Sequence, residues 1–173
     1  MRSQAEKLSF CAVFTAFGLL LSYVEAILPI NLIIPIPGFK LGLASLAVLY
    51  TFFTLGLPYA AAVSMCRVSL SAMLFGSVTS FAFSLAGSLL SLGVIVLYKV
   101  FLNKFNGIIG MSVLCAAMHN LGQCIVCAIM FDHYVLTFYL PYLLLFSLIT
   151  GSITGFLASK YPKLKIFQKG KCA

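Results

Sequence analysis

Residues 108–130 read IIGMSVLCAAMHNLGQCIVCAIM, a run of 23 residues that contains no Asp, Glu, Lys or Arg. A helix needs about 20 predominantly apolar residues to cross the hydrocarbon core of a bilayer. The apolar residues of this run are continuous and do not alternate with a period of two, which favours a helix over a strand of a closed barrel. We therefore predict that this segment is a membrane-spanning helix.

Further apolar runs share this character, and they lie at 8–28, 41–57, 58–75, 78–102 and 135–158. The chain of 173 residues is 62% hydrophobic and 8% charged, whereas soluble domains average about 25% charged residues. This composition excludes a disordered chain, a disulfide scaffold and an ordinary cytosolic enzyme. The predicted fold class is all-α: a polytopic membrane bundle of six transmembrane helices, with residues 1–173 forming a single integral membrane domain.

The distribution of Lys and Arg predicts the orientation of this bundle. If the N and C termini are both cytoplasmic, every cation except Lys40 and Arg67 lies on the inner side, as the positive-inside rule requires. The inner cations are then Arg2, Lys7, Lys99, Lys104, Lys160, Lys163, Lys165, Lys169 and Lys171. The net charge of +8 accordingly reflects membrane topology and not nucleic-acid binding. We expect a multi-pass protein of the bacterial inner (plasma) membrane.

Polar side chains inside the predicted spans mark the candidate site. A charged or amide side chain in a bilayer is costly unless it is paired or hydrated, so each one is a candidate for function. Glu25 lies in the first span, Arg67 in the third, and His119, Asn120 and Gln123 share one face of the fifth. A stripe of small and polar residues on the first span leads to Glu25, formed by Cys11, Thr15, Gly18 and Ser22. We expect these three helices to surround a cavity that opens outward.

The outer loop at 31–40 reads NLIIPIPGFK, and its prolines and glycine break helical structure. Because the segment is still largely apolar, we expect it to fold back over the outer mouth of the bundle as a lid. Phe39 would then cover a ligand, and Lys40 would add a cation at the end of the loop.

Two interpretations of this polar set remain open. In the first, the residues satisfy one another: Glu25 pairs with Lys40 or Arg67, and the polar residues of the fifth span lock helix packing by hydrogen bonds. In the second, Lys40 and Arg67 together outweigh the charge of Glu25, and His119 can gain a proton. An anionic or strongly hydrogen-bonding ligand would then balance the site.

Small residues at a spacing of four predict close contacts between helices. Ala12 and Ala16 lie on the first span away from its polar stripe, where they allow a partner helix to approach. Ser147, Gly151 and Gly155 have the same spacing on the sixth span. For this second set, packing inside the bundle is the expected role.

Three motifs together resemble one family: PGFKLGLA at 37–44, Arg67 followed by LFG at 74–76, and HNLGQ at 119–123. The chain resembles the Gx transporter family, also described as heptaprenyl diphosphate synthase component I. That family is similar to the substrate-binding S components of energy-coupling factor (ECF) transporters. The resemblance implies six helices with both termini inside and a ligand pocket toward the outside.

The resemblance also implies a partner. In S components an Ala-x-x-x-Ala pattern on the first helix contacts the coupling protein, and Ala12 and Ala16 match that pattern. Some relatives look like membrane subunits associated with quinone or extracellular flavin electron transfer, which keeps a role in a redox assembly open.

The synthase description disagrees with the acidic residues of the chain. Prenyl diphosphate synthases hold Mg²⁺ and diphosphate with clustered aspartates, because a hard cation needs several carboxylate oxygens. This chain has three acidic residues, Glu6, Glu25 and Asp132, and they are far apart in sequence. A Walker A sequence is absent as well. We therefore predict that the chain is not an enzyme, has no metal site or cofactor, and depends on another protein for any ATP-driven step.

The predicted function is that of a substrate-binding subunit, similar to an S component, for the uptake of a small anionic or polar molecule. The expected partners are this ligand, the lipid bilayer and a membrane coupling protein with ATPases, but not nucleic acid. The alternative is a membrane anchor in a quinone or flavin extracellular electron-transfer assembly, or in isoprenoid (heptaprenyl diphosphate) synthesis. The expected substrate-binding residues are Glu25, Phe39, Lys40, Arg67, His119, Asn120 and Gln123, and the expected partner contacts are Ala12 and Ala16.

Overall fold

The computed structural model describes residues 3–27, 42–75, 77–98, 100, 107–130 and 134–160. Every regular element in this part of the chain is a helix, which confirms the predicted all-α membrane bundle. The helices are α1 (Gln4–Ile27), α2 (Ser45–Leu55), α3 (Leu57–Phe75), α4 (Val78–Leu97), α5 (Ile108–Met130) and α6 (Tyr134–Ser159).

Five of these helices are long and apolar enough to cross a membrane, so the chain is a multi-pass membrane protein. The exception is α2, where 41–57 was predicted as a full span but the helix has 11 residues. Such a helix is about 16 Å long, against a hydrocarbon core of about 30 Å. Gly42 and Gly56 explain its bounds, because each has a positive φ, of +82° and +97° respectively, that ends regular helix.

The short helix α2 lies inside the bundle and not at its edge. It contacts α1, α3, α5 and α6, while the longer helices adjoin one another in the order α1, α3, α4, α5, α6. Because α2 is enclosed on several sides, it needs no polar face, and its sequence is apolar all round. Its buried residues are Ser45, Leu46, Ala47, Val48, Leu49 and Thr51.

Helices α5 and α6 are in close backbone contact at two glycines of α6. A Cβ atom at Gly151 would lie 2.5 Å from Cα of Val113, and one at Gly155 would lie 2.7 Å from Cα of Ile109. The hydroxyls of Ser112 and Thr154 meet across this contact at 2.6 Å. The small-residue spacing on α6 therefore serves internal packing, as predicted. We call this contact the α5–α6 seam.

Contacts between helix ends define the two ends of the bundle. Lys7, near the start of α1, lies over the ring of Tyr59 near the start of α3, with Nζ 5.8 Å from the ring centroid. Ile108 at the start of α5 and Ala158 near the end of α6 pack together in one cluster. Tyr50 of α2 links these two pairs, since its ring stacks on Phe14 of α1 and its hydroxyl donates to the carbonyl of Leu157 near the end of α6. The N-terminal half of α1 and the last turn of α6 therefore lie toward the same end, which we call the inner end. The end of α1 and the start of α2 lie at the opposite, outer end.

Candidate functional site

Arg67 lies halfway along α3 and is 3% exposed. Its Nη1 donates a hydrogen bond of 3.3 Å to Oγ of Ser22 on α1, and its Nη2 donates one of 3.0 Å to Oγ of Ser88 on α4. One guanidinium therefore joins three helices. A planar group with five donors is suited to such a junction, and equally suited to an oxyanion.

Gly18 makes room for the arginine side chain. A Cβ atom at this position would lie 2.8 Å from Cδ of Arg67 and 3.2 Å from Cβ of Ala47 on α2. The buried residues of α1 are Gly18, Ser22 and Glu25. The polar stripe predicted for the first span is thus the face that α1 turns toward the bundle.

Glu25 connects the arginine to the start of α2. Its side chain is buried, and Oε1 accepts a hydrogen bond from the backbone N–H of Leu43. The carboxylate also lies close enough to Arg67 to interact with it electrostatically. Glu25, Ser22, Arg67 and Ser88 form what we call the polar centre.

His119 on α5 is packed between two glycines. A Cβ atom at Gly87 of α4 would lie 2.8 Å from both Cε1 and Nδ1 of the imidazole, and one at Gly42 would lie 3.1 Å from Cδ2. The imidazole packs against Gly42, and the next residue, Leu43, donates its backbone N–H to Glu25. The histidine therefore adjoins the polar centre through the backbone at the start of α2.

The remaining predicted residues divide into two groups. Asn120 faces α6, where its Nδ2 donates a hydrogen bond of 3.1 Å to the carbonyl of Leu143, and Gln123 is buried on α5. Phe39 and Lys40 lie outside the described residues. The structure thus brings Glu25 and Arg67 together and directs the side-chain amide of Asn120 into helix packing.

Helix α4 also contributes to the site, which was not predicted from the sequence. Ser84, Gly87, Ser88 and Ser91 are buried along one side of this helix, and Ser88 binds the guanidinium. Their spacing of three and four was a usable signal. Among the described residues, no hydrogen-bond partner is found for Nε of Arg67 or for the hydroxyl of Ser84. Both are buried donors, and an unsatisfied buried donor costs about 1–3 kcal/mol.

The predicted partner contacts lie on the opposite side of α1. Ala12 and Ala16 are both exposed, together with large apolar neighbours such as Val13 and Leu20. Because α1 is buried along a single narrow stripe, most of its length is open to the surrounding membrane. This face is accessible to another helix.

A family model described as heptaprenyl diphosphate synthase component I matches residues 14–161. No curated protein matches the chain, and no solved structure matches it either. The matched segment runs from the middle of α1 through α6 and so contains the polar centre and His119. The similarity to S components of energy-coupling factor transporters stays a prediction. The match covers most of the sequence, and the chain therefore belongs to the heptaprenyl diphosphate synthase component I family.

Proposed function

We propose that this protein is the substrate-binding subunit of an uptake system in the cell membrane and that it binds a small anionic or strongly hydrogen-bonding molecule at the polar centre. The observation that carries the proposal is the buried guanidinium of Arg67. Its two observed hydrogen bonds go to serine hydroxyls, and its Nε has no partner among the described residues.

The energetics of a buried arginine support a ligand. A cation inside a bundle is stable only when its charge and its donors are matched by partners. A serine hydroxyl accepts a hydrogen bond from the guanidinium but carries no charge, whereas an oxyanion can accept two parallel hydrogen bonds and balance charge as well. Glu25 is near enough to act on the charge of Arg67, but the Nε donor has no hydrogen-bond partner among the described residues. An oxyanion held by Arg67, with serine hydroxyls beside it, would accept that hydrogen bond.

The residues on either side of the predicted outer loop lie close to the polar centre, which is consistent with this role. Residues 28–41 join Ile27, two residues after Glu25, to Gly42, which packs against His119. Both ends of the loop therefore start at groups next to the polar centre. In the proposal, Lys40 adds a second cation near the ligand and Phe39 covers it.

The energy for uptake would come from a partner. The chain has no Walker A sequence, so an ATPase module must be separate. The exposed face of α1 with Ala12 and Ala16 is the proposed contact for a membrane coupling protein.

A second candidate function uses the same exposed face of α1. The family description names one component of a prenyl diphosphate synthase, and a membrane anchor for that enzyme, or for a quinone or flavin electron-transfer assembly, needs an accessible apolar surface. Leu8, Val13 and Leu20 on α1 are 59–74% exposed, which favours such a contact. In this alternative the catalytic groups belong to the partner.

The test is gentle purification of the parent protein and of Arg67→Gln, followed by mass spectrometry of the small molecules and proteins that remain bound. The parent is expected to retain a small anionic or polar molecule together with a membrane coupling protein and ATPases. Arg67→Gln is expected to lose the small molecule and keep the proteins. Cys66→Ala is the matched control, because Cys66 precedes Arg67 on α3 but is exposed.

Two results would contradict the proposal. If the parent carries no small molecule and co-purifies with a prenyl synthase or a flavoprotein, the anchor function is correct. Equal retention of a ligand by the parent and by Arg67→Gln would show that binding occurs away from the polar centre.

A further inference from the structure

An apolar groove lies on the outside of the bundle between α1 and α6. It has a volume of about 390 Å³ and is lined by Val13, Phe14, Phe17, Leu46, Tyr50 and Leu157. None of these residues belongs to the polar centre. The groove is therefore a separate feature of the molecule, and an inference about it is independent of the proposed function.

Helix α2 forms the floor of the groove with Leu46 and Tyr50, and α1 and α6 form its walls. Tyr50 of α2 connects the two walls: its ring stacks on Phe14 with centroids 5.9 Å apart, and its hydroxyl donates a hydrogen bond of 2.9 Å to the carbonyl of Leu157. Val13, Phe17 and Leu157 are 41–64% exposed along the rim. The floor is thus fixed, and the rim faces the membrane.

The size and lining of the groove match a hydrocarbon chain. An apolar cavity of about 150 Å³ is large enough to bind benzene, and this groove is more than twice that volume. A chain lying in it would make dispersion contacts with both helices, which bilayer lipids passing over a flat surface would not make to the same extent.

Two lysines lie near the groove at the inner end of the bundle. Lys7 is on the face of α1 that carries Phe14, seven residues earlier and thus about 10 Å away along the helix axis. Lys160 directly follows α6, three residues after Leu157, and its backbone N–H bonds to the carbonyl of that residue. The two lysines are carried by the helices that form the two walls, and their Nζ atoms lie over the rings of Tyr59 and Phe156, at 5.8 and 4.8 Å from the ring centroids. Both side chains are long and flexible, so an anionic group at the inner end of the groove would attract positive charge from both walls.

We propose that this groove is a specific site for an anionic phospholipid, with one acyl chain between α1 and α6 and the phosphate headgroup between Lys7 and Lys160. The apolar lining recognises the chain, and the two ammonium groups recognise the headgroup. The lipid therefore belongs to the leaflet at the inner end and stabilises α1, which has few buried residues of its own.

The test uses the full-length protein in nanodiscs that contain equal amounts of phosphatidylglycerol and phosphatidylcholine with identical acyl chains. Lipids that remain bound after extraction are counted by native mass spectrometry. The parent is expected to retain phosphatidylglycerol about tenfold over phosphatidylcholine, which corresponds to a modest preference in binding. Lys7→Gln combined with Lys160→Gln is expected to abolish this preference.

Substitutions in the groove test the site of the acyl chain. Val13→Trp and Leu157→Trp fill the groove from opposite walls at exposed positions, and each is expected to remove the retained lipid. Leu8→Trp is the matched control on α1, since Leu8 is 74% exposed and is turned by about 140° from Val13. It is expected to retain lipid as the parent does.

Three results would overturn this inference. One is equal retention of the two lipids by the parent, and another is unchanged phosphatidylglycerol in both tryptophan variants. The third is displacement of phosphatidylglycerol by an equimolar polyprenyl diphosphate, because the site would then be built for a different amphiphile. None of these outcomes bears on a small molecule held by Arg67, so the two proposals fail separately.

Discussion

The polar centre and the α5–α6 seam are built from the same small and hydroxyl residues, but they use them in opposite ways. In the seam, Gly151 and Gly155 bring two backbones together, and the hydroxyls of Ser112 and Thr154 satisfy each other. In the polar centre, the space left by a glycine holds a long cationic side chain. The seam is closed by neutral groups, whereas the polar centre holds two buried opposite charges and a donor, Nε of Arg67, that has no hydrogen-bond partner in the described part of the chain.

This difference indicates what each region contributes. Neutral groups that satisfy one another stabilise helix packing and offer nothing to a ligand. A buried charge with spare hydrogen-bonding capacity costs stability and can bind. We therefore expect substitutions in the seam to change folding, and substitutions at the polar centre to change ligand binding more than folding.

The largest effect is expected for Gly151→Val. A side chain at this position meets Cα of Val113 at 2.5 Å and its N at 3.0 Å, and backbone atoms cannot rotate away as a side chain can. We expect destabilisation of about 3 kcal/mol, at the upper end for overpacking, measured by unfolding in mixed micelles. A parent-like stability would mean that the seam is not closely packed.

A smaller effect is expected from the coupling of Glu25 and Arg67. Glu25→Gln and Arg67→Gln each leave the other charge buried without its counterpart, while the double variant removes both. The double variant should therefore be more stable than the sum of the two single changes predicts, by about 1–3 kcal/mol. Strict additivity of the three unfolding free energies would show that the two charges do not act on each other.

The glycines of α4 provide a matched pair of substitutions. A Cβ at Gly87 would lie 2.8 Å from two imidazole atoms of His119 and from its backbone oxygen, whereas nothing lies within 4 Å of a Cβ at Gly93. Gly93→Ala should raise stability by up to about 1 kcal/mol through helix propensity, and Gly87→Ala should lower it. Ligand retention should fall in Gly87→Ala alone. Equal behaviour of the two variants would contradict the packing described for His119.

The smallest effect is expected from a pair of serine substitutions. Ser88→Ala removes a partner of Arg67, and Ser112→Ala removes a partner of Thr154. Hydrogen bonds between membrane helices contribute about 0.6 kcal/mol on average, so both changes should be minor in unfolding experiments. Ligand affinity should separate them, with a several-fold loss for Ser88→Ala and none for Ser112→Ala. A loss of affinity in both would remove the distinction between seam and polar centre.

Much of the fold follows from the sequence, because apolar runs of membrane length leave few alternatives to helices. The inward face of α1 was predictable from a second signal, because Gly18, Ser22 and Glu25 recur at helical spacing. The length of α2 was not predictable from apolarity, since Gly42 and Gly56 end the helix by adopting positive φ and not by being polar.

The candidate site was predictable only in part. The buried charges of Glu25 and Arg67 are conspicuous in an apolar sequence, but serines are common in membrane helices, and Ser88 did not stand out. Asn120 was grouped with His119 because an arc of about 100° on one helix includes both residues. In a bundle, an arc of that width spans two neighbouring helices, and Asn120 bonds to α6.

Because only a narrow stripe of α1 is buried, this helix contacts both the bundle interior and the membrane. One side supplies Ser22 and Glu25 to the interior, while Ala12 and Ala16 look out into the bilayer. A helix packed along one side rolls or tilts as a unit when the residues on that side are displaced. If a ligand binds beside Arg67 as proposed, a displacement of Ser22 and Glu25 would also move Ala12 and Ala16, because one helix carries all four residues.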